Sequence, residues 1–174
     1  MALLVVAYPA IEKKDYDWVQ SIRAKNDDRY FNIIEPHFTI VFPVFDLDEK
    51  IFIDHVEKAA KRFKTFYFVL RCAQIVKNSF SSYTDVFLIP EEGYRIFVKL
   101  HDAFYSGPLE KDLRLDIPFI PHLGIANSED SLHSKKIADE INSNNLEILG
   151  AVNNLDIISY ENNKVRTVHK IFLE

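Results

Sequence analysis

Apolar positions along the chain change period repeatedly. Leu3 to Tyr8 is a short apolar run that predicts a buried strand. "DYDWVQSIRAKND" then brings Trp18 or Val19, Ile22 and Ala24 onto one side of a helix. "HFTIVFP" alternates as a strand, and Pro43 is expected to end it. In "DLDEKIFIDHVEKAAKRF" the residues Ile51, Val56, Ala59, Ala60 and Phe63 recur near helical spacing, with Asp46 or Asp48 as N-cap. "FYFVLRCAQIVK" and "YTDVFLIP" predict two strands around the loop "NSFSS". "GYRIFVKLHDAFY" predicts a helix that "SGP" stops. "FIPHLGIA" predicts another strand, and "SEDSLHSKKIADEINS" a helix capped by Ser128 or Asn127. "LEILGAV", "LDIISY" and "VRTVHKIFLE" predict closing strands, the last two joined at "ENNK".

The order is strand, helix, strand, helix and two strands, then helix, strand, helix and three strands. It is a mixed α+β pattern with no linker between its halves. One phrase occurs at a similar place in each half: "EPHFTIVFP" and "IPHLGIA". Both read Pro-His-apolar-small-Ile, and their histidines, His37 and His122, stand 85 residues apart in a chain of 174. Strand alternation puts His37 and Thr39 on one face and Phe38 and Ile40 on the other. It likewise separates His122 and Gly124 from Leu123 and Ile125. The apolar pairs suit a core. With the two strands side by side about a pseudo-two-fold axis, the histidines would face each other across a groove.

Two opposed imidazoles suit the opening of a phosphodiester. One proton must leave the entering oxygen and another must reach the leaving oxygen, on opposite sides of phosphorus. An unperturbed pKa of about 6.5 lets one ring be neutral while the other is charged. The Thr39 hydroxyl points the same way and could hold a non-bridging oxygen. No metal is needed.

The pair of H-x-[ST]-x strands resembles the signature of the 2H phosphoesterase superfamily, which includes the 2′-5′ RNA ligase-like proteins. The likeness extends to the first strand, to the strand pair between the motifs, and to the closing hairpin "NLDIISYENNKVRTVHKIFLE". The resemblance implies a bilobal α+β fold over residues 1–174, of two antiparallel sheets related by a pseudo-two-fold, with helices packed outside. It implies metal-independent opening of 2′,3′-cyclic or 2′,5′ phosphodiester bonds in nucleotides or RNA 3′ ends, with 2′-5′ RNA ligation as the reverse reaction. His37, Thr39 and His122 carry over directly. Gly124 departs, since the family has Ser or Thr there; the loss of one phosphate contact leaves open a nucleotide- or RNA-binding module of the same fold with weak or no catalysis.

Composition narrows the remaining choices. A net charge of −5 argues against gripping long nucleic acid over the whole surface, but not against a nucleotide in a local groove. The single cysteine, Cys72, excludes an intrachain disulfide and fits a reducing compartment; its strand flanks predict a buried thiol. The first ten residues lack a basic start and predict a strand rather than a signal peptide, and no apolar run approaches ~20 residues. A cytoplasmic monomer without cofactor is expected. Tyr8, Phe80 and Tyr83 are candidates to stack on a base. His55, His101, His133 and His169 share no motif and are expected at the surface. "KAAKRFK" reads as a solvated helix face.

Overall fold

The structure is a computed structural model that describes residues 1–174. Nine strands form two antiparallel sheets. In the first, of order β3-β1-β8-β9, β1 is Ala2–Ala7, β3 Phe38–Val44, β8 Asn154–Glu161 and β9 Lys164–Phe172. The second, of order β2-β7-β4-β5-β6, has β2 at Ala10–Ile11, β7 at Ile148–Val152, β4 at Phe66–Lys77, β5 at Thr84–Glu92 and β6 at Leu123–Ser128. Four helices, α1 (Lys13–Asn26), α2 (Glu49–Ala60), α3 (Tyr94–Phe104) and α4 (Ser131–Asn142), cover them. This is the α+β arrangement the sequence implies. None of the helices is long and apolar enough to cross a membrane.

The sheets do not correspond to the two halves of the chain. The first sheet joins the opening strands to the closing hairpin, and the second joins the middle strands to the second motif. Nor do the motif strands lie side by side. Each is the outer strand of its own sheet: β3 pairs only with β1, and β6 only with β5. The helices cross over reciprocally, with α1 packed on β6 and α3 packed on β3.

The edge position explains why β3 continues through Pro43 to Val44 rather than stopping. An edge strand has one side free of ladder bonds, so a missing N–H there costs little. The "ENNK" turn places Asn162 and Asn163 at φ +52° and +57°, as a two-residue hairpin requires. Of the two expected helix caps, one falls on an expected residue and one does not. Asp48 caps α2, accepting from the backbone N–H groups of Lys50 and Ile51. This register buries Phe52 and leaves Ile51 half exposed. Asp130, not Ser128 or Asn127, caps α4, because β6 still occupies those two residues.

A continuous cluster of 33 buried side chains draws on both sheets, so the lobes share one core. Phe38, the residue after the first motif histidine, sits at its centre. Its ring lies 5.0 Å from that of Phe68 on β4 and 4.3 Å from that of Phe97 on α3. Burying one such ring contributes about 2–3 kcal/mol. Ile40, Leu123 and Ile125 are likewise fully buried. The apolar face of each motif strand thereby fixes which way its other face points.

Candidate active site

Between the outer edges of the two sheets runs a groove of about 520 Å³, within the usual size of small-molecule sites. His37, Thr39, His122 and Gly124 all line it. Each histidine stands one residue before its strand begins. The backbone orients the two rings identically: Nδ1 of His37 is 2.8 Å from the carbonyl of Glu35, and Nδ1 of His122 is 2.5 Å from that of Ile120. A carbonyl only accepts, so Nδ1 carries the hydrogen and donates it. The Nε2 atom of each neutral ring is left as the basic one. On the first side the Glu35 segment is itself held by α1, since the Glu35 carboxylate accepts from Gln20 Nε2 at 2.8 Å and from the Tyr16 hydroxyl.

Burial pushes both imidazole pKa values down to about 4, against a partial upward pull from each Nδ1–carbonyl bond. A charge on His37 lowers His122 further, so the two rings feel one another. Both are therefore neutral at pH 7. Their ring neighbours differ. Phe87 of β5 stacks on His122 at 3.5 Å between centroids, whereas Tyr8 meets His37 edge-on at 6.3 Å.

Gly124 faces open space: a Cβ built there would meet no atom within 4 Å. The contrast is Gly150, whose Cβ would fall 2.3 Å from the Phe68 ring. No neighbouring strand therefore demands glycine at 124, and a hydroxyl-bearing side chain would fit.

Of the three aromatic candidates, only Phe80 lines the groove, from the β4–β5 loop. Tyr8 packs behind His37, where burial, then the charges of Asp156 and Glu35, push its phenol up to about 12. Tyr83 turns away and lies under the Arg29 guanidinium at 4.8 Å. His101 departs from its expected surface position. It is buried on the inner face of α3, with Nδ1 2.9 Å from the carbonyl of Ile40 and its ring stacked on Phe119 at 3.8 Å. His55 and His169 are half buried, bonded to the Phe104 carbonyl and to Glu57, while His133 is exposed. Cys72 is half buried rather than enclosed.

The groove also contains buried polar residues that the sequence did not flag. Arg23 and Asp27, only 2% and 4% exposed, form an ion pair at 3.0 Å on the inner side of α1. Arg23 further donates to the Ile34 carbonyl at 2.8 Å, and Asp27 accepts from Asn127 Nδ2 at 2.5 Å. The available signal was the four-residue spacing of Val19, Arg23 and Asp27, which puts two charges in line with an apolar residue. Asp85 and Asn127 line the same end. No three His, Cys, Asp or Glu side chains gather anywhere in the chain into a set that could hold a metal ion.

A sequence model of the 2′-5′ RNA ligase superfamily matches residues 10–164. The chain belongs to that superfamily. No curated protein matches it by sequence. Solved structures share its fold at low identity. TT0787 of Thermus thermophilus superposes with a TM-score of 0.63 at 14% identity, covering 99% of this chain and 98% of its own. E. coli LigT complexed with 3′-AMP gives 0.58 at 13%, covering 99% and 97%. Kluyveromyces marxianus Usb1 gives 0.58 at 10%, covering 99% and 98%. The 2′-5′ RNA ligase superfamily is therefore matched by sequence over most of the chain, and its two-sheet fold over nearly all of it.

Proposed function

We propose that this protein is a metal-independent phosphodiesterase that opens 2′,3′-cyclic phosphate or 2′-5′ linkages in nucleotides or RNA ends. The observation that carries the reading is the matched pair of imidazoles, each anchored through Nδ1 and each lining one groove. One neutral Nε2 takes a proton from water as its oxygen bonds to phosphorus. The other ring, protonated, gives its Nε2 proton to the ribose oxygen as the P–O bond breaks. A phosphomonoester results, and the two rings have exchanged protonation states. The same sequence on a 2′,3′-cyclic phosphate, with the 5′-hydroxyl of a second RNA in place of water, forms a 2′-5′ linkage as the ribose 3′ oxygen leaves and takes the proton, and its reversal reopens that linkage. Thr39 Oγ donates to a non-bridging oxygen. Because burial holds both rings neutral, the acid acquires its proton together with the substrate, whose negative charge favours an imidazolium. Residues 1–174 act as one bilobal unit, since the groove takes a histidine from each lobe.

The ligands of E. coli LigT, crystallised with ATP and with 3′-AMP, support a nucleotide as the substrate class. Gly124 favours a second reading, a nucleotide-binding module with weak turnover, because the second side of the phosphate lacks its hydroxyl. Incubation with 2′,3′-cyclic nucleotides in EDTA separates the two. Turnover that survives chelation and is lost in His37→Ala and His122→Ala supports the enzyme. Nucleotide binding without turnover supports the module.

A further inference from the structure

The end of the groove beyond His122 carries two oxygen acceptors that the phosphodiester chemistry does not use. Asp85 and Asn127 are directly opposite partners on β5 and β6, so their Cβ atoms lie about 5 Å apart. Asp85 is two residues before Phe87, whose ring stacks on His122. The two share a strand face, with about 7 Å between their backbones.

The amide of Asn127 has a determined orientation. Its Nδ2 donates to Asp27 Oδ1 at 2.5 Å, and a carboxylate only accepts, so the oxygen points elsewhere. That Oδ1 is buried and has no hydrogen-bond partner. A buried orphan acceptor is costly, and a ligand that supplied the missing donor would relieve that cost. Asp85 is 8% exposed. Its Oδ2 accepts from Asn78 Nδ2 at 3.2 Å, and its Oδ1 meets no protein donor. Burial raises the Asp85 carboxyl, with Arg29 and Lys77 acting against that rise. Two exposed rings, Tyr30 and Phe80, line the same groove, each with a guanidinium over it, Arg29 at 4.9 Å and Arg114 at 5.4 Å, so a flat ligand could stack only on the opposite faces.

We propose that Asp85 and Asn127 form a base-reading subsite that selects guanine on the nucleotide whose phosphate sits between His37 and His122. This rests on the phosphodiesterase reading above for the position of the phosphate. Two adjacent acceptors require two adjacent donors. The Watson–Crick edge of guanine presents them, N1–H beside the N2 amino group. Adenine and cytosine each present one amino group beside an acceptor nitrogen, and uracil presents one N–H between two carbonyls. Each of these would set a lone pair against a protein oxygen and leave a buried acceptor unpaired, which is how a polar site rejects a near-isostere.

Direct titration of the protein with the 3′-monophosphates of guanosine, adenosine, cytidine and uridine, and with inorganic phosphate, tests this without relying on turnover. The guanosine nucleotide should bind about tenfold or more tighter than the other three. The near-isosteric Asp85→Asn should bring it down to their level while leaving inorganic phosphate affinity unchanged. Asn127→Ser, checked for an unchanged melting temperature, should do the same in part. Equal affinity for all four nucleotides in the unaltered protein overturns the proposal, as does a guanine preference that persists in both folded variants. In either case, continued turnover in EDTA would leave the phosphodiesterase reading standing. Failure to bind any nucleotide, together with no turnover, would overturn both.

Discussion

The two motif strands carry the same imidazole geometry on different surroundings. β3 and β6 are both outer strands, and both bury an alternate apolar pair. Both present a histidine whose Nδ1 meets the carbonyl two residues back. Beyond that they diverge. Thr39 follows His37, whereas Gly124 with open space above it follows His122. His37 has a tyrosine at its edge, and His122 a phenylalanine stacked on its face. The helix on β6 contributes a buried ion pair, Arg23–Asp27, while the helix on β3 contributes a neutral His101 bonded to a carbonyl. The common part is set by backbone and core packing, which one strand-plus-alternation pattern reproduces twice. The divergent part consists of single side chains: Thr39 and Gly124 line the groove, where a substitution changes chemistry without disturbing the core, whereas His101 and the Arg23–Asp27 pair are buried and bear on stability as well.

The largest effect should come from the shared part. His37→Ala and His122→Ala should each lower kcat on a 2′,3′-cyclic nucleotide by about 10²–10⁴-fold. The double variant should be scarcely worse than either single one, since acid and base act as a unit. A loss confined to one histidine would break the symmetry.

The next test separates the helices. Asp27→Ala strands the buried Arg23 charge and should cost about 3–5 kcal/mol in chemical denaturation. The volume-matched His101→Leu removes only a neutral hydrogen bond, leaving the Ile40 carbonyl short of a donor, and should cost about 1–3 kcal/mol. Equal costs would mean that the Arg23–Asp27 pair is better solvated than its burial indicates.

Gly124→Thr would make the two strands more alike. The Cβ has room, so melting temperature should hold, and a hydroxyl on a phosphate oxygen should raise turnover by about ten- to a hundredfold. Slower turnover at unchanged melting temperature would show that the substrate itself fills that space.

The smallest effect is in pH. Both histidines have folded pKa values near 4, below the unfolded value of about 6.5. Between those values the unfolded chain binds more protons than the folded one. The stability that comes from holding the rings neutral is therefore complete above about pH 6.5 and declines as pH falls toward 4. The melting temperature should drop by several degrees from pH 7.5 to pH 5, and by less in His37→Asn/His122→Asn. A nucleotide should reduce the drop by favouring one charged ring. For the same reason kcat/KM, which reports the free protein, should peak at more acid pH than kcat.

The periodic switching of apolar positions was sufficient to place nearly every strand and helix, because each element must bury one face whatever its partners. It also put Phe38, Ile40, Leu123 and Ile125 inward and both motif histidines on the opposite face, since alternation is a property of the strand alone. Two elements escaped: the two-residue β2 and the 3₁₀ turn at Gly107–Asp112, both too short to show a period. Sheet membership escaped as well. That β3 and β6 are edges of separate sheets depends on which strands pair across long loops, and Pro43 reads as a strand end only if β3 lies inside a sheet. The buried polar set of Arg23, Asp27, Asp85 and Asn127 was decided by tertiary structure, with the spacing of Val19, Arg23 and Asp27 its one trace in the sequence. A charged residue is ordinarily solvated, and only the packing of α1 against β6 supplies partners that make its burial tolerable. The identity of the histidine pair is written in the sequence; the depth of the groove that lowers their pKa values exists only once the two sheets meet, and the orphan Asn127 oxygen only once α1 packs on β6.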